Sequence, residues 1–212
     1  MTQQERMNQV IKKLELCYPD SACALQAEGD SFRLLVMAIL SAQCTDARVN
    51  KISPALFAHF PDAAAMAEGE VTEIEELIRS CGLYRSKAKN LSLCAKRLVD
   101  TYGGKVPSAM EDLLTLPGVG RKVANLIRGD VFGLGGIVAD THCIRITNLL
   151  GFCNSDDPKK VEFTLDPLVP KDKQSDFCHR LVQYGRDVCI ARRPQCETCT
   201  LKELCKHYGD QS

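Results

Sequence analysis

The feature that most limits what this chain can fold into lies near its end, where Cys189, Cys196, Cys199 and Cys205 stand at the spacing C-x6-C-x2-C-x5-C in the run CIARRPQCETCTLKELC. Four thiols this close together can converge on one centre, and ligation then holds a loop that has too little apolar surface to fold by itself. A zinc ion and a 4Fe-4S cluster both suit four thiolates, and the spacing does not choose between them. Two disulfides, or four unrelated core cysteines, are the competing readings. The full count of 12 cysteines is even and would suit a disulfide framework in a secreted protein. Against that, the first residues, MTQQERMNQVIKKLEL, mix charges with amides and form neither a secretory hydrophobic region nor a membrane span. A cytoplasmic chain is therefore expected. In a reducing compartment clustered cysteines are more often metal ligands, and isolated ones are small buried hydrophobes. The cysteines at 17, 23, 44, 81, 94, 143, 153 and 178 show no ligand spacing and are read as packing residues.

Elsewhere the periodicity is helical. Val10 and Leu14, the run Phe32 to Leu40, then Ile74, Leu77 and Ile78, then Leu91, Leu98 and Val99 recur at one-face spacing, while strand signals are weak. Breaks at Pro61-Asp62, Gly82, Gly103-Gly104, Pro117-Gly118 and Asp156-Asp157-Pro158 separate segments of ordinary helix length. The expectation is an all-α protein of about ten helices. With 45% hydrophobic and 25% charged residues and no low-complexity run, disorder is excluded as the chain's general state. A formal net charge of zero, 27 basic against 27 acidic residues, provides no whole-chain attraction to nucleic acid, so such binding has to be argued locally.

The segment MEDLLTLPGVGRKVANLIRG reads as helix, tight turn, helix: Leu113, Leu114 and Leu116 lead in, Pro117 and two glycines turn, and Val123, Leu126 and Ile127 resume helical spacing. Gly118 and Gly120 permit positive φ and close backbone approach, so that successive N–H groups can point outward at a helix start and hold a phosphate. Such a contact positions a protein on DNA without reading bases. Arg192 and Arg193, between the first two clustered cysteines, form a basic loop that ligation would stiffen and that can meet phosphates.

The full LPGVGRK string resembles the helix-hairpin-helix element of the endonuclease III family of DNA glycosylases, and further matches run over almost the whole chain: LLVMAILSAQCTD (34–46), GLYRSKAKN (82–90), LPGVGRKVAN (116–125), VADTHCIRI (138–146) and HRLVQYGRDVC (179–189). The cysteine spacing is the one that binds a 4Fe-4S cluster in that family, so the resemblance favours iron–sulfur over zinc. It implies two helical domains flanking a DNA-binding cleft: a central helical barrel with the hairpin, over residues 22–134, and a cluster domain made of 1–21 and 135–212. The implied partner is damaged double-stranded DNA. The implied protein is a monomer at the nucleoid, without a membrane span, whose product passes to downstream repair enzymes.

The resemblance places a nucleophilic lysine at Lys122 and the catalytic carboxylate at Asp140. A primary amine can attack C1′ of a damaged nucleotide, expel an oxidised pyrimidine and form a Schiff base, after which loss of a C2′ proton permits β-elimination of the 3′ phosphate. Lys122 must first lose its proton, which partial burial and a neighbouring charge such as Arg121 would assist. Asp140 either stabilises the cationic sugar or helps proton transfer. Because a duplex hides C1′, the nucleotide has to be extruded and its space filled. The resemblance offers Gln43 and Leu83 for that gap, and Ser41, Asp46 and His142 for lining the pocket. The motif before Asp140 departs mildly, with Val138-Ala139, and with few residues after Cys205 the extra recognition domain of adenine-glycosylase relatives is not expected. A monofunctional glycosylase using water lacks the lysine at this place, and a non-catalytic DNA-binding module has no need of Lys122 and Asp140 together.

Overall fold

The protein is described from a computed structural model covering residues 1–210, and every regular element among them is helical. In chain order these are α1 (Gln3–Cys17), α2 (Ser31–Leu40), α3 (Asp46–His59), α4 (Ala63–Glu68), α5 (Val71–Leu77), α6 (Tyr84–Tyr102), α7 (Met110–Leu113), α8 (Arg121–Asp130), α9 (Thr141–Leu149), α10 (Pro158–Leu165), α11 (Gln174–Asp187) and α12 (Lys206–Gly209), with three short 3-10 turns between Lys171 and Leu204. They group into two compact units, Ala24–Phe132 and a discontinuous one joining Met1–Cys23 to the chain from Gly133 onward.

In the unit from Ala24 to Phe132, α2 is the central element. Leu34 through Leu40 are all buried, as is Phe32, so the helix is apolar nearly all round and must be surrounded. α3, α6 and α8 pack on it, and α4 and α5 pack on α6. Its start is fixed by Asp30, whose carboxylate accepts the Arg33 amide at 2.9 Å. Its end is fixed by a buried cation: Lys87 of α6 is 5% exposed and donates from Nζ to the Leu40 carbonyl at 2.9 Å, where a helix end favours positive charge.

The discontinuous unit is closed by α1. Met7, Val10, Ile11 and Leu14 form one buried stripe that joins Ile146, Leu165, Phe177, Leu181 and Tyr184 in a single core. A capping box at Thr2 and Glu5 starts the helix. Arg6 then reaches across to donate to the carbonyls of Leu150, Gly151 and Leu204, with its guanidinium 4.1 Å over the Phe152 ring. These carbonyls lie in the turn after α9 and in the cysteine-rich end of the chain, so one N-terminal side chain ties both.

Twelve α-helices occur among the described residues where about ten were expected, because short helices separate where a single segment was read. Gly69 ends α4 two residues before α5 begins at Val71, its missing Cβ leaving room for the Phe60 ring. The lead-in to the hairpin is a correction too. α7 is one turn that stops at Leu113, and the chain runs on to Leu116 in tighter turns, the Thr115 amide on the Asp112 carbonyl and the Leu116 amide on the Leu113 carbonyl, before Pro117. Of the eight cysteines read as packing residues, Cys81, Cys94, Cys143, Cys153 and Cys178 are buried, but Cys17 is exposed and Cys23 and Cys44 are half-buried.

Since Leu14 is fully buried in a core whose members outside α1 come from beyond Gly133, Leu14→Ala is expected to destabilise that unit by about 2–5 kcal/mol, read as a lower urea midpoint with an unchanged slope. An unaltered midpoint would mean that α1 is not part of this core.

Candidate functional site

The hairpin turn runs from α7 to α8 and is closed by the Val119 amide donating to the Leu116 carbonyl at 3.1 Å. Its two glycines differ. Gly118 has φ +82°, and a Cβ there would sit 3.1 Å from Asn90 Cβ and 3.2 Å from Ile39 Cγ2, so both backbone and packing call for glycine. Gly120 has φ −100°, an ordinary value, and a Cβ would meet nothing within 4 Å. It is the N-cap of α8, and no side chain caps that helix. The first amides of α8 therefore have no acceptor within the helix. Arg121 is half-buried and Lys122 exposed, while Ala124 and Ile127 turn inward. At the second position of α8 the Lys122 side chain lies on the open side of the helix, so the chain by itself does not bury the amine.

Gln43 and Leu83 share an unusual backbone, with φ +53° and +59°. A left-handed conformation at a residue with a side chain costs about 1–3 kcal/mol and persists only where the surroundings impose it. Both side chains point outward, Leu83 at 61% exposure. Their loops touch, since a Cβ on Gly82 would lie 3.4 Å from the Gln43 carbonyl oxygen. Nothing in the one-dimensional pattern signals this strain. Ser41 ends α2 and donates its hydroxyl to the Ala38 carbonyl at 2.8 Å, and Asp46 opens α3 next to the N-cap Thr45, so all four belong to the unit from Ala24 to Phe132.

In the discontinuous unit, Asp140 is the N-cap of α9 and its Oδ1 accepts the Cys143 amide at 2.8 Å. This fixes the carboxylate at the positive end of a helix. His142, in the first turn of α9, lies with Nδ1 3.2 Å from Arg145 Nη2. Its ring also presses on Gly185 of α11, where a Cβ would fall 2.3 Å from Nδ1. Gly185 is a packing residue that the sequence reading missed; the available signal was a glycine inside a helical pattern.

The four cysteines Cys189, Cys196, Cys199 and Cys205 come together, lining one recess whose walls include Leu149, Val188 and Pro194. Tyr184 Oη lies 2.8 Å from Cys199 Sγ, Arg145 Nη1 donates to the Cys189 carbonyl and stands 3.5 Å from its sulfur, and Cys205 Sγ lies 3.5 Å from the Leu149 carbonyl. Burial, then the neighbouring thiols, push Cys189 and Cys196 up from the ordinary thiol range, with Arg145 opposing at Cys189. Thiols in that state are brought to thiolate by a bound cation centre. An all-sulfur donor set in a mostly apolar recess fits a soft metal or an iron–sulfur cluster. Arg192 and Arg193 are exposed in the loop between the first two cysteines.

Residues 36–171 match the family model described as HhH-GPD superfamily base excision DNA repair protein. Endonuclease III of Synechocystis sp. is 44% identical over 96% of this chain and 93% of its own length, and endonuclease III of Bacillus subtilis is 39% identical over 92% and 93%. The solved structure of a trapped endonuclease III–DNA covalent intermediate superposes with a TM-score of 0.91 at 39% identity, covering 100% of this chain and 99% of that one. With an all-helical fold, a glycine hairpin and a four-cysteine loop, this chain belongs to the endonuclease III family, the base-excision-repair DNA glycosylases with AP lyase activity.

Proposed function

We propose that the chain removes oxidised pyrimidines from duplex DNA through a Schiff base on Lys122 and then cleaves the abasic site on its 3′ side by β-elimination. The observation that supports this most is an exposed primary amine at the uncapped start of α8, one residue beyond the hairpin. The Lys122 Nζ lone pair attacks C1′, the C1′–N bond breaks, and the base departs with the bonding electrons and takes up a proton. Opening of the sugar ring and loss of an amine proton give the imine. Removal of a C2′ proton then expels the 3′ phosphate, and water releases the lysine. Because the chain itself leaves Lys122 exposed, the DNA that covers it provides the dry surroundings this chemistry needs. Asp140, with Oδ1 engaged in the α9 cap, keeps Oδ2 for the cationic sugar.

The left-handed backbone at Gln43 and Leu83 supports their insertion into the gap left by the extruded base, the amide toward the opposite base and the leucine into the stack. Open space over Gly120 admits a phosphate to the α8 amides. Arg121, Arg192 and Arg193 add phosphate contacts, and Ser41, Asp46 and His142 contribute to the pocket. Cys189, Cys196, Cys199 and Cys205 hold a 4Fe-4S cluster, in keeping with a family that binds iron–sulfur. Bound there, the cluster cross-links a loop that has little core of its own. No described helix is long and apolar enough to cross a membrane; the reading is of a cytoplasmic monomer acting at the nucleoid, whose nicked product requires further repair enzymes.

Lys122→Ala is expected to bind abasic duplex within about threefold of the parent while strand cleavage falls by about a thousandfold or more, measured by single-turnover nicking; a variant that still nicks would remove Lys122 from the chemistry. The two hairpin glycines separate structure from binding. Gly118→Ala should lower stability by about 1–3 kcal/mol through strain at positive φ, whereas Gly120→Ala, losing only the N-cap preference for glycine, should cost no more than about 0.5–1 kcal/mol yet weaken duplex binding several-fold. Thermal unfolding and a binding titration read the two effects, and equal loss of stability would contradict the distinction. Finally, Cys199→Ser should lose visible absorbance and bound iron; undiminished absorbance would reject it as a ligand.

A further inference from the structure

Two cysteines outside the clustered four lie in the touching loops that carry Gln43 and Leu83. Cys44 directly follows Gln43 and Cys81 stands two residues before Leu83. The backbones around them meet where Gly82 approaches the Gln43 carbonyl, which brings the Cys44 thiol beside that of Cys81. Cys81 is only 2% exposed, whereas Cys44 is half-buried, so a reagent from solution reaches the pair through Cys44. Burial, then the neighbouring Cys44, push the Cys81 thiol up to about 11, with Lys87 and Arg48 opposing, so Cys81 is the protonated inner partner and reacts second.

We propose that Cys44 and Cys81 are a redox-active dithiol whose closure to a disulfide fixes the two loops and suppresses DNA processing. The proposal rests on Gln43 and Leu83 entering DNA, as set out above. The oxidant is a low-molecular-weight disulfide. The Cys44 thiolate attacks one of its sulfurs, forming a mixed disulfide and expelling a thiolate; the Cys81 sulfur, losing its proton, attacks Cys44 and expels the second thiolate. In sum, two protein thiols lose two electrons and two protons, and the external disulfide becomes two thiols. A disulfide fixes the separation of its two sulfurs and of the backbones that carry them, so closure constrains segments whose neighbours already sit in a left-handed backbone. A displacement of even about 1 Å at groups that must seat in a base gap is enough to cost rate heavily.

The test treats the reduced, cluster-loaded protein with oxidised glutathione, follows the visible absorbance of the cluster, blocks free thiols, and identifies linked peptides by mass spectrometry beside a nicking assay. The expected result is a peptide pair joined through Cys44 and Cys81, two hydrogens lighter than the reduced pair, with nicking of an abasic duplex reduced about tenfold or more and restored by dithiothreitol. Cys44→Ser should nick equally before and after treatment. Glutathione resting on Cys44 without transfer to Cys81 would overturn the dithiol, and a link that leaves nicking unchanged would overturn the switch. Equal loss of nicking in Cys44→Ser would do the same, by tracing the inhibition elsewhere. The mass reading is independent of activity, so failure of the pair is distinct from a reduced protein that never nicks, which would defeat the enzymatic reading itself.

Discussion

The segment from Cys189 to Cys205 has almost no core of its own: within it only Leu201 and Leu204 are buried. A stretch of that length ordered without apolar burial must be held from outside, because each fixed residue costs about 1–2 kcal/mol of backbone entropy. Three anchors do this. Arg6 of α1 grips the Leu204 carbonyl together with those of Leu150 and Gly151, Arg145 of α9 grips the Cys189 carbonyl, and Tyr184 of α11 meets the Cys199 sulfur. The helices that carry these anchors are packed in one core. An N-terminal helix, a central helix and a late helix are thus committed to presenting four sulfurs in one recess, which explains why the discontinuous unit includes the first residues of the chain.

In the other unit the corresponding commitment is to loops rather than to a metal-type centre. α2, surrounded on all sides, sets the position of the segment that follows it, and Lys87 of α6 binds the carbonyl at its end. Gly118 packs on Ile39 of α2 and Asn90 of α6, so the hairpin is fastened to the same two helices. The costs of strain at Gln43 and Leu83 are carried by this scaffold, and the outward-facing residues Lys122 and Leu83 are what it displays. A rigid frame under exposed, constrained residues is the arrangement expected where loops do the recognition.

Much of this was legible in the sequence, for reasons that differ from residue to residue. Helical spacing revealed α1, α2 and α6 because each has a buried stripe long enough to count. The four cysteines were legible because thiols that ligate together must be close in sequence or fold, and here they are close in sequence. LPGVGRK marked the turn, but not that Gly118 answers to packing and Gly120 to open space, since both glycines look alike in a string. One-turn helices such as α7 were misjudged because their boundaries depend on where the chain passes into tighter turns and on tertiary packing rather than on periodicity. Arg6, Gly185 and the Cys44–Cys81 contact were invisible for one shared reason: each acts on a partner distant in sequence, through a geometry no local pattern encodes.

The central claim is that the amine of Lys122 forms the covalent bond to the sugar. The most direct measurement reduces the reaction with a duplex carrying one thymine glycol by borohydride, digests the trapped adduct and maps the modified residue by mass spectrometry. The account predicts a single nucleotide-bearing peptide modified at Lys122. Modification at another lysine or at the amino terminus, or base release with no adduct at all, would contradict it.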